Sequence, residues 1–338
     1  RRGLFVLVVV PSRVLMNQWA FHLAHALPGC RIGRLGDNFN DGVNSCDVLV
    51  TTRHSASTRR PVPPTEAGGL IIADECHGFG GKTLRQSLIH EYQERLGLTA
   101  TLERSDQAVE KTLLPYFGGV CYRYGFGPAI DDGVCAQPRV AFVAVPLSSE
   151  ERIEYDEIEK SLVQARQVLR AIPDMPQGSF SAFLAAVSHL AEHDAGPNGK
   201  AAVTYLEAFS MRREIVATSR TKYEVLSRFA PLIREAAGSL LFTQTVKAAN
   251  HAINRLDPLL DIEIITGETS RGERERILHD LRVGTIDAVA APRVLDEGID
   301  VPNANLGIVI SASRTRRQMI QRMGRILRRK PLGSGARF

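Results

Sequence analysis

Long apolar runs and paired cysteines are both missing from this 338-residue sequence. No stretch approaches the roughly 20 apolar residues that a membrane-spanning helix needs, so we expect no membrane partner. The five cysteines are odd in number and form no C-x-x-C pair, which argues against a zinc site and a disulfide framework. Buried free thiols in a reducing compartment fit this usage, and we expect a cytoplasmic protein.

Acidic residues are missing from the last part of the chain. Ser311 to Phe338 contains nine Lys or Arg residues and no Asp or Glu. The whole chain has a net charge of +5 and a pI near 9.0, which permits a polyanionic partner without requiring one. A composition of 44% hydrophobic and 23% charged residues is ordinary for a folded globular protein. The local positive field at the end of the chain favours phosphate as a ligand.

Short apolar, β-rich runs recur in two sets along the chain, each leading to a helical or turn segment. Continuous apolar strands that alternate with helices predict parallel sheets covered on both faces. We therefore predict an α/β fold with two domains of one kind. The predicted strands are Leu4–Val10, Asp47–Thr51, Leu70–Ala73 and Arg95–Thr99 in the first set, and Leu240–Thr243, Ile262–Thr266, Asp287–Ala291 and Leu306–Ser311 in the second.

Between the two sets the pattern becomes helical. Apolar residues from Ile158 to Ile172 recur on one helical face, Pro173–Gly178 interrupts them, and Phe180–Leu190 forms a second stripe before a turn at Gly196–Gly199. This pattern predicts a helical insertion that leads into the second domain after a crossing strand near Arg139–Val145. The predicted domains are residues 1–138 and 239–338, with the crossing strand and insertion at 139–238.

The motif Asp74-Glu75-Cys76-His77 follows the predicted buried strand Leu70–Ala73. Ligand crevices of α/β sheets open at the carboxyl ends of their strands. An acidic pair there suits metal-assisted phosphoryl chemistry, in which one carboxylate holds Mg²⁺ and the next takes a proton from the attacking water. The alternative is a strand that ends in a solvated acidic turn.

A second motif, from Gln321 to Arg328, spaces its arginines by three residues, which makes them neighbours on a helix. Arginine keeps its charge and offers phosphate oxygens a planar fork of donors. The alternative is a solvated basic face. Gly324 favours a ligand, because an exposed helix gains nothing from a glycine that costs about 1 kcal/mol.

In this order the two motifs resemble those of a superfamily 2 helicase core, and the resemblance covers nearly the whole chain. Leu96–Thr101 resembles motif III, and Val294–Pro302 resembles motif V. The sequence is similar to the XPB-like branch, because Thr99–Leu102 continues into Arg104-Ser105-Asp106, where XPB-type enzymes carry Arg-Glu-Asp. The glutamate of that element is missing here. The resemblance implies two RecA-like parallel-sheet domains with a helical insertion between them.

The resemblance also implies a set of contacts to the nucleic-acid backbone at strand ends and helix starts. A capped helix start is the alternative for Thr51 and Thr52, and packing is favoured over base stacking for Trp19. Backbone contacts position a protein without reading sequence. The residues expected to bind nucleic acid are Ser12, Arg13, Gln18, Thr51, Thr52, Arg53, Thr243, Thr266, Gly267 and Arg293.

For catalysis the resemblance implies ATP and Mg²⁺ as cofactors. Asp74 and Glu75 would hold the metal, Glu75 would activate water, and Thr99 and Thr101 would connect His77 to the nucleotide cleft. Closure of the domains would move one grip on the nucleic acid relative to the other. The expected catalytic residues are Asp74, Glu75, His77, Gln321, Arg325 and Arg328, and the expected nucleotide-binding residues are Gly298, Asp300 and Arg322.

A phosphate-loop sequence, G-x-x-x-x-G-K-[ST], is also missing. The resemblance places that loop just before Arg1, so we expect residues 1–338 alone to be inactive, with exposed apolar surface on the Leu4–Val10 side of the first sheet. The expected function is that of an ATP-dependent DNA helicase or translocase with little sequence preference. The alternatives are a non-enzymatic nucleic-acid-binding module derived from a helicase, and the helicase subunit of a restriction or phage-defence system. Nuclease, repair or defence proteins are the expected protein partners.

Overall fold

A computed structural model of the chain describes residues 3–64, 68–104, 106–292, 304–310, 323, 324, 326 and 336–338. Two compact units make up the chain, residues 1–125 and residues 126–338. Each unit contains a six-stranded sheet within the described residues. The predicted α/β class with two parallel-sheet domains is therefore confirmed.

The first sheet is built from apolar, mostly β-branched strands that can be buried on both faces. Its order is β3-β2-β4-β1-β5-β6, and all neighbours are parallel except β2 and β3. The four strands predicted in this region are confirmed to within one residue at each end, whereas β2 and β3 were not predicted. The strands are β1 (Phe5–Val10), β2 (Ile32–Gly36), β3 (Phe39–Asn40), β4 (Val48–Thr52), β5 (Gly69–Asp74) and β6 (Glu94–Leu98).

The expectation of exposed apolar surface on the Leu4–Val10 side is wrong. Strand β1 is central, pairing with β4 on one side and β5 on the other, and Leu7 to Val10 are completely buried. On the β5 side of β1, the edge strand among the described residues is β6, whose side chains are half-buried or exposed.

Two helices of the first unit begin at the carboxyl edge of its sheet. Helix α1 (Arg13–Ala26) follows β1, and helix α2 (Arg53–Arg59) follows β4. Both starts are capped by a hydroxyl, as expected for Ser and Thr at a helix N-terminus. A short helix α3 (Leu114–Phe117), 3-10 turns at Cys76–Gly80 and Leu84–Ser87, and a π-helical turn at Val109–Leu113 complete the unit's described helices.

The second sheet has the order β7-β12-β11-β8-β10-β9, and every pair is parallel. Its central strands β8 and β10 are buried along their whole length. The predicted strand at 262–266 ends two residues early, and the crossing strand predicted near Arg139–Val145 is reduced to a two-residue pairing. The strands are β7 (Pro138–Arg139), β8 (Ser239–Thr243), β9 (Ile262–Ile264), β10 (Ala288–Pro292), β11 (Leu306–Val309) and β12 (Ala336–Arg337).

The predicted helical insertion is present as three helices, α5 to α7, with a core of their own around Leu162, Phe183 and Tyr205. The turn predicted at Gly196–Gly199 is instead the start of α7, because proline at 197 fits the first position of a helix. The helices of the unit are α4 (Phe126–Asp131), α5 (Ser149–Arg170), α6 (Phe180–His193), α7 (Pro197–Thr218), α8 (Arg220–Ser227), α9 (Ala230–Glu235), α10 (Val246–Leu256) and α11 (Arg271–Val283).

Glycine is required at position 199 because the end of α6 passes close to the start of α7. A Cβ atom at this position would lie 1.5 Å from the backbone oxygen of Asp194. Because glycine has no Cβ atom, α7 can begin close to the end of α6.

All five cysteines are free. Cys46 and Cys76 are buried, whereas Cys30 and Cys121 are exposed, so the expectation of buried thiols holds for only some of them. In the part of the chain that the structure describes, no helix combines the length and apolar character needed to cross a membrane.

Candidate nucleotide and nucleic-acid site

The acidic motif lies at the carboxyl end of β5, as predicted. Asp74 is the last residue of the strand, and Glu75 takes the left-handed conformation, with φ 49° and ψ 50°. This conformation costs a non-glycine residue about 1–2 kcal/mol, and such strain is often found at functional sites. The chain then continues into the 3-10 turn at Cys76–Gly80. We call residues 74–78 the acidic turn.

Both oxygens of the Asp74 carboxylate accept a hydrogen bond. Trp19 Nε1 donates to Oδ2 at 2.9 Å, and the backbone N–H of Glu75 donates to Oδ1 at 3.0 Å. Burial raises the pKa of Asp74, and the hydrogen bond from Trp19 opposes that rise. The two donors fix the plane of the carboxylate, and each oxygen keeps a further lone pair for water or a cation.

Glu75 carries a buried oxygen without a hydrogen-bond partner. His77 Nδ1 lies 3.2 Å from Glu75 Oε2, but Nδ1 makes its hydrogen bond with Thr99 Oγ1 at 3.0 Å. An unsatisfied buried carboxylate oxygen is costly, and a bound water or cation would relieve that cost.

The two carboxylates would supply only part of the ligand set of a divalent cation, and water or phosphate oxygens would complete it. Among the described residues, no group of three or more His, Cys, Asp or Glu could hold a metal ion. Magnesium in nucleotide sites is commonly bound by one or two carboxylates together with phosphate oxygens and water. Asp74 and Glu75 can supply the protein part of such a set.

His77 and Thr99, which the resemblance links, are in contact, and His77 is buried whereas Thr99 is half-buried. Thr99 Oγ1 donates to the carbonyl of Thr101 at 2.8 Å, so its single proton is used and it accepts from His77 Nδ1. Thr101 Oγ1 is buried without a hydrogen-bond partner. Within the acidic turn, burial raises the pKa of the Cys76 thiol to about 11, so this thiol stays protonated at neutral pH.

Arg104 connects the segment after β6 to the acidic turn. Its Nη1 donates to the carbonyl of His77 at 2.6 Å, and its Nε and Nη2 donate to the carboxylate of Asp106 at 2.8 and 2.5 Å. These bonds hold the pKa of Asp106 well below its ordinary value, at about 2. The Arg-x-Asp element therefore keeps both charged ends in contact, although the glutamate between them is replaced by Ser105, which lies outside the described residues.

The start of α1 is arranged as an anion site would be. Ser12 caps the helix by accepting from the backbone N–H of Leu15 at 3.3 Å. Arg13 is mostly exposed and pairs with Asp37 at 2.9 Å. Gln18 is half-buried on the same helix. A helix N-terminus with free N–H groups favours phosphate, which is compatible with the predicted role of this segment.

The threonines at the end of β4 are used inside the protein. Thr51 is completely buried and donates its hydroxyl to the carbonyl of Leu35 at 2.9 Å, so this hydroxyl is used inside the protein, and a role of Thr51 in nucleic-acid binding stays a prediction. Its side chain faces the sheet interior because side chains alternate along a strand. Thr52 caps α2 by accepting from the backbone N–H of Ser55 at 3.3 Å, which is the alternative stated for it above.

Arg53 extends toward the acidic turn. A Cβ atom on Gly78 would lie only 2.6 Å from Arg53 Nη1, so the glycine leaves room for the guanidinium beside the turn. Arg53 Nε is buried without a hydrogen-bond partner. The predicted nucleic-acid residue therefore reaches the same five-residue turn as Trp19, Thr99 and Arg104.

In the second unit, the predicted threonines that the structure describes make local hydrogen bonds. Thr243 is completely buried and donates its hydroxyl to the carbonyl of Thr245 at 3.2 Å, and its role in nucleic-acid binding stays a prediction. Thr266 Oγ1 accepts from the backbone N–H of Glu268 at 3.2 Å, and its own N–H donates to Thr269 Oγ1 at 2.9 Å. Gly267 is exposed, with open space around its Cβ position.

Several predicted residues lie outside the described residues: Arg293, Gly298, Asp300, Gln321, Arg322, Arg325 and Arg328. Around Gly324, which is described, no other described residue apart from its neighbours along the helix lies within 4 Å of the Cβ position. Packing against described residues therefore does not explain the glycine.

Four residues with direct roles in these contacts were not among the predicted site residues: Trp19, Asp37, Arg104 and Arg274. The sequence favours packing for Trp19, and it relates Arg104 only to the branch-specific element. Arg274 of α11 donates from Nη2 to the carbonyls of Thr266 and Thr269, at 3.2 and 3.4 Å. A sequence signal existed for Trp19, since it is the only tryptophan in the chain and follows the first buried strand.

Comparisons with known proteins agree with this arrangement. The Helicase conserved C-terminal domain family matches residues 221–330, and the family described as Type III restriction enzyme, res subunit, matches residues 3–104. Among solved structures, Dbp5 of S. cerevisiae bound to RNA and ADP BeF3 has a TM-score of 0.53 at 14% identity, covering 96% of this chain and 68% of that one. The Pyrococcus furiosus Hef helicase domain has a TM-score of 0.50 at 16% identity, covering 99% and 91%. At these identities the structures show a shared RecA-like helicase fold.

Sequence relatives are more specific. The DNA 3'-5' translocase XPB2 of Sulfurisphaera tokodaii is 32% identical over an alignment 340 residues long, gaps included. The alignment covers 96% of this chain and 69% of that protein. The putative DNA 3'-5' helicase Rad25 of Haloarcula marismortui is 26% identical, with 95% and 43% covered. The XPB subunit of general transcription and DNA repair factor IIH from Danio rerio is 27% identical, with 96% and 37% covered. This chain thus spans less than half the length of the last two relatives. It belongs to the XPB-like branch of the superfamily 2 helicases.

Proposed function

We propose that this chain forms the motor core of an ATP-dependent DNA translocase or helicase. The observation that carries the proposal is the convergence of contacts on the acidic turn. Trp19 of α1, Arg53 of α2, and Thr99 and Arg104 after β6 all reach it. A module that only bound nucleic acid would need exposed donors, but it would not need several elements to meet at a turn that carries two carboxylates.

ATP and Mg²⁺ are the cofactors of the proposed reaction. Bound Mg²⁺ would offset the phosphate charge. Asp74, held by two donors, suits the role of metal ligand, and Glu75 suits the role of general base that takes a proton from the attacking water. The unpartnered Oε2 of Glu75 supports this division, because that oxygen has lone pairs that no protein donor uses.

Coupling between nucleotide and nucleic acid would pass through His77. Its ring contacts Thr99 and its carbonyl accepts from Arg104, so a change at the acidic turn alters bonds to the segment after β6. We propose DNA as the substrate and 3'-5' as the direction, because the names of the sequence relatives carry both. The roles of Arg293, Gly298, Asp300, Gln321, Arg322, Arg325 and Arg328 stay predictions.

A second candidate is the motor subunit of a restriction nuclease, since the family that matches residues 3–104 bears that description. The acidic turn would perform the same chemistry in both cases. ATP-dependent DNA cleavage by the product of the complete open reading frame, alone or with a co-purified partner, would favour this second candidate.

Nucleic-acid binding can be tested with residues 1–338. We expect single-stranded oligonucleotides of different sequence to bind with similar affinity, because phosphate contacts dominate, and we expect that affinity to fall steeply with salt. Fluorescence anisotropy at several salt concentrations measures both. The product of the complete open reading frame should in addition hydrolyse ATP faster when DNA is added. Salt-independent binding, strong selection of one sequence, or no effect of DNA on hydrolysis would each contradict the proposal.

A further inference from the structure

The only tryptophan of the chain is bonded to the carboxylate that we assign to the metal. Trp19 lies on α1, 55 residues before Asp74 in sequence, and its indole Nε1 donates to Oδ2 at 2.9 Å. The ring packs against the apolar cluster that includes Val10 and Met16, on one face of the first sheet. Packing on that cluster therefore fixes the direction of the indole N–H.

The indole N–H is suited to this task because it can donate but cannot accept. The second donor to Asp74, the backbone N–H of Glu75, belongs to the left-handed residue after β5. The two donors come from separate elements and bind different oxygens, so together they define the carboxylate plane. Without Trp19 a single backbone bond would remain, and the carboxylate could rotate about it.

We infer that Trp19 is a positioning residue that holds Asp74 in the orientation required to bind a divalent cation. The inference rests on the proposed function, because that function makes Asp74 a metal ligand. Groups that orient a metal ligand through a hydrogen bond commonly change metal affinity by about 10-fold to 100-fold when they are removed. Packing alone would not require the indole nitrogen, so the donor itself is what an experiment has to remove.

The first measurement uses residues 1–338 labelled with ¹⁵N-tryptophan, which give a single indole N–H resonance because Trp19 is the only tryptophan. Asp74→Asn should move this resonance, since a charged acceptor is replaced by a neutral one. Mn²⁺, which broadens signals of nearby nuclei, should broaden the indole resonance of the unsubstituted chain at concentrations that leave Asp74→Asn unaffected.

The second measurement compares Mn²⁺ affinity among variants by the relaxation of water protons. Trp19→Phe keeps an aromatic ring on the apolar cluster and removes the donor, and we expect its affinity to be at least about 10-fold weaker. Phe21→Leu is the matched control, because Phe21 lies on the same helix and is 60% exposed. This control should bind Mn²⁺ as the unsubstituted chain does. Thermal unfolding of each variant checks that the fold is kept.

Unchanged Mn²⁺ affinity in folded Trp19→Phe would overturn the inference, and so would an indole resonance that Asp74→Asn leaves in place. The first measurement, which does not use Trp19→Phe, keeps the inference falsifiable if that variant does not fold. Neither measurement uses nucleotide or DNA. A failure here would therefore leave the proposed function standing on its DNA-binding and ATP-hydrolysis tests, and those tests could fail while Trp19 still positions Asp74.

Discussion

Among the residues that the structure describes, the carboxyl edges of the two sheets carry similar side chains but use them differently. In the first unit, hydrogen bonds join the ends of different strands. Trp19, after β1, donates to Asp74 at the end of β5, and His77, after β5, is hydrogen-bonded to Thr99, after β6. In the second unit, Thr243 bonds to a carbonyl two residues away, and the bonds of Thr266 shown above stay within its own loop and to the nearby helix α11.

This difference separates two tasks. A network that joins several strand ends transmits a change at one residue to the others, which suits coupling of chemistry to grip. Loops whose hydrogen bonds are local keep their shape when a neighbouring strand end changes. Such loops suit steady binding of the nucleic-acid backbone. Substitutions in the first unit should therefore affect one another, and substitutions across the two units should not.

The largest effect is expected from Glu75→Gln in the product of the complete open reading frame. The substitution removes the base but keeps most of the side-chain shape, so ATP should still bind while turnover falls by about 10²-fold to 10⁴-fold. Turnover and nucleotide binding are measured separately. Hydrolysis near the normal rate would show that Glu75 is not the base.

A smaller effect is expected from Thr99→Val, which keeps the branched shape and removes the hydroxyl that His77 contacts. Loss of one buried hydrogen bond costs about 1 kcal/mol or somewhat more, so DNA should stimulate ATP turnover about fivefold to tenfold less. The matched control is Thr101→Val, whose hydroxyl is buried without a partner. Its loss should have less effect on stimulation, and equal effects of the two variants would refute the proposed path through Thr99.

The comparison of the two units can be tested by pairing substitutions. Thr99→Val combined with Arg104→Gln should depart from additivity by about 0.5–3 kcal/mol, because both residues contact His77. Thr99→Val combined with Thr266→Val should add to within about 0.5 kcal/mol. Free energies of DNA binding from anisotropy supply the numbers. Strong coupling of Thr99 to Thr266 would mean that the second unit's loop is not independent.

The smallest effect concerns the exposed end of the Arg104–Asp106 pair. The pKa of Asp106 is lowered to about 2 by Arg104, so its contribution to stability is present above the ordinary pKa and is lost as the pH falls through about 2. Because Asp106 is about half exposed, the contribution should stay below about 1 kcal/mol. Urea unfolding should show Asp106→Asn slightly less stable at pH 7 and pH 5, with the difference shrinking below about pH 4. A difference that grows on acidification would contradict the assignment.

The sequence predicted those strands that are continuous runs of apolar residues. Continuous apolar runs such as Leu4–Val10 and Leu70–Ala73 could only be buried strands, and the acidic motif after the second run fixed the edge at which the site lies. Strand β2 was missed because its sequence, Ile-Gly-Arg-Leu-Gly, contains no such run. The short pairings of β7 and β12 depend on each other and carry no pattern of their own.

Within the site, the direction of a side chain is what the sequence could not predict. Thr51 and Thr243 lie at the predicted strand ends, but whether a side chain faces the edge or the interior depends on the exact register of the strand. The Trp19 contact with Asp74 depends on how α1 packs across the sheet, which periodicity within the helix does not determine. Arg104 could be placed by resemblance, but its bond to the His77 carbonyl follows from a turn that the sequence does not specify.

The pairing of β7 with β12 also constrains how the second unit is made. Pro138–Arg139 bonds to Ala336–Arg337, and Ala141 donates to the carbonyl of Phe338, so the outer edge of the sheet joins segments about 200 residues apart. At about 5–20 residues per second, a ribosome needs roughly 10–40 s to synthesise the second segment after the first. Helices α5 to α7, with their own core, emerge during that interval. A nascent chain would thus present a folded helical bundle well before its sheet could close.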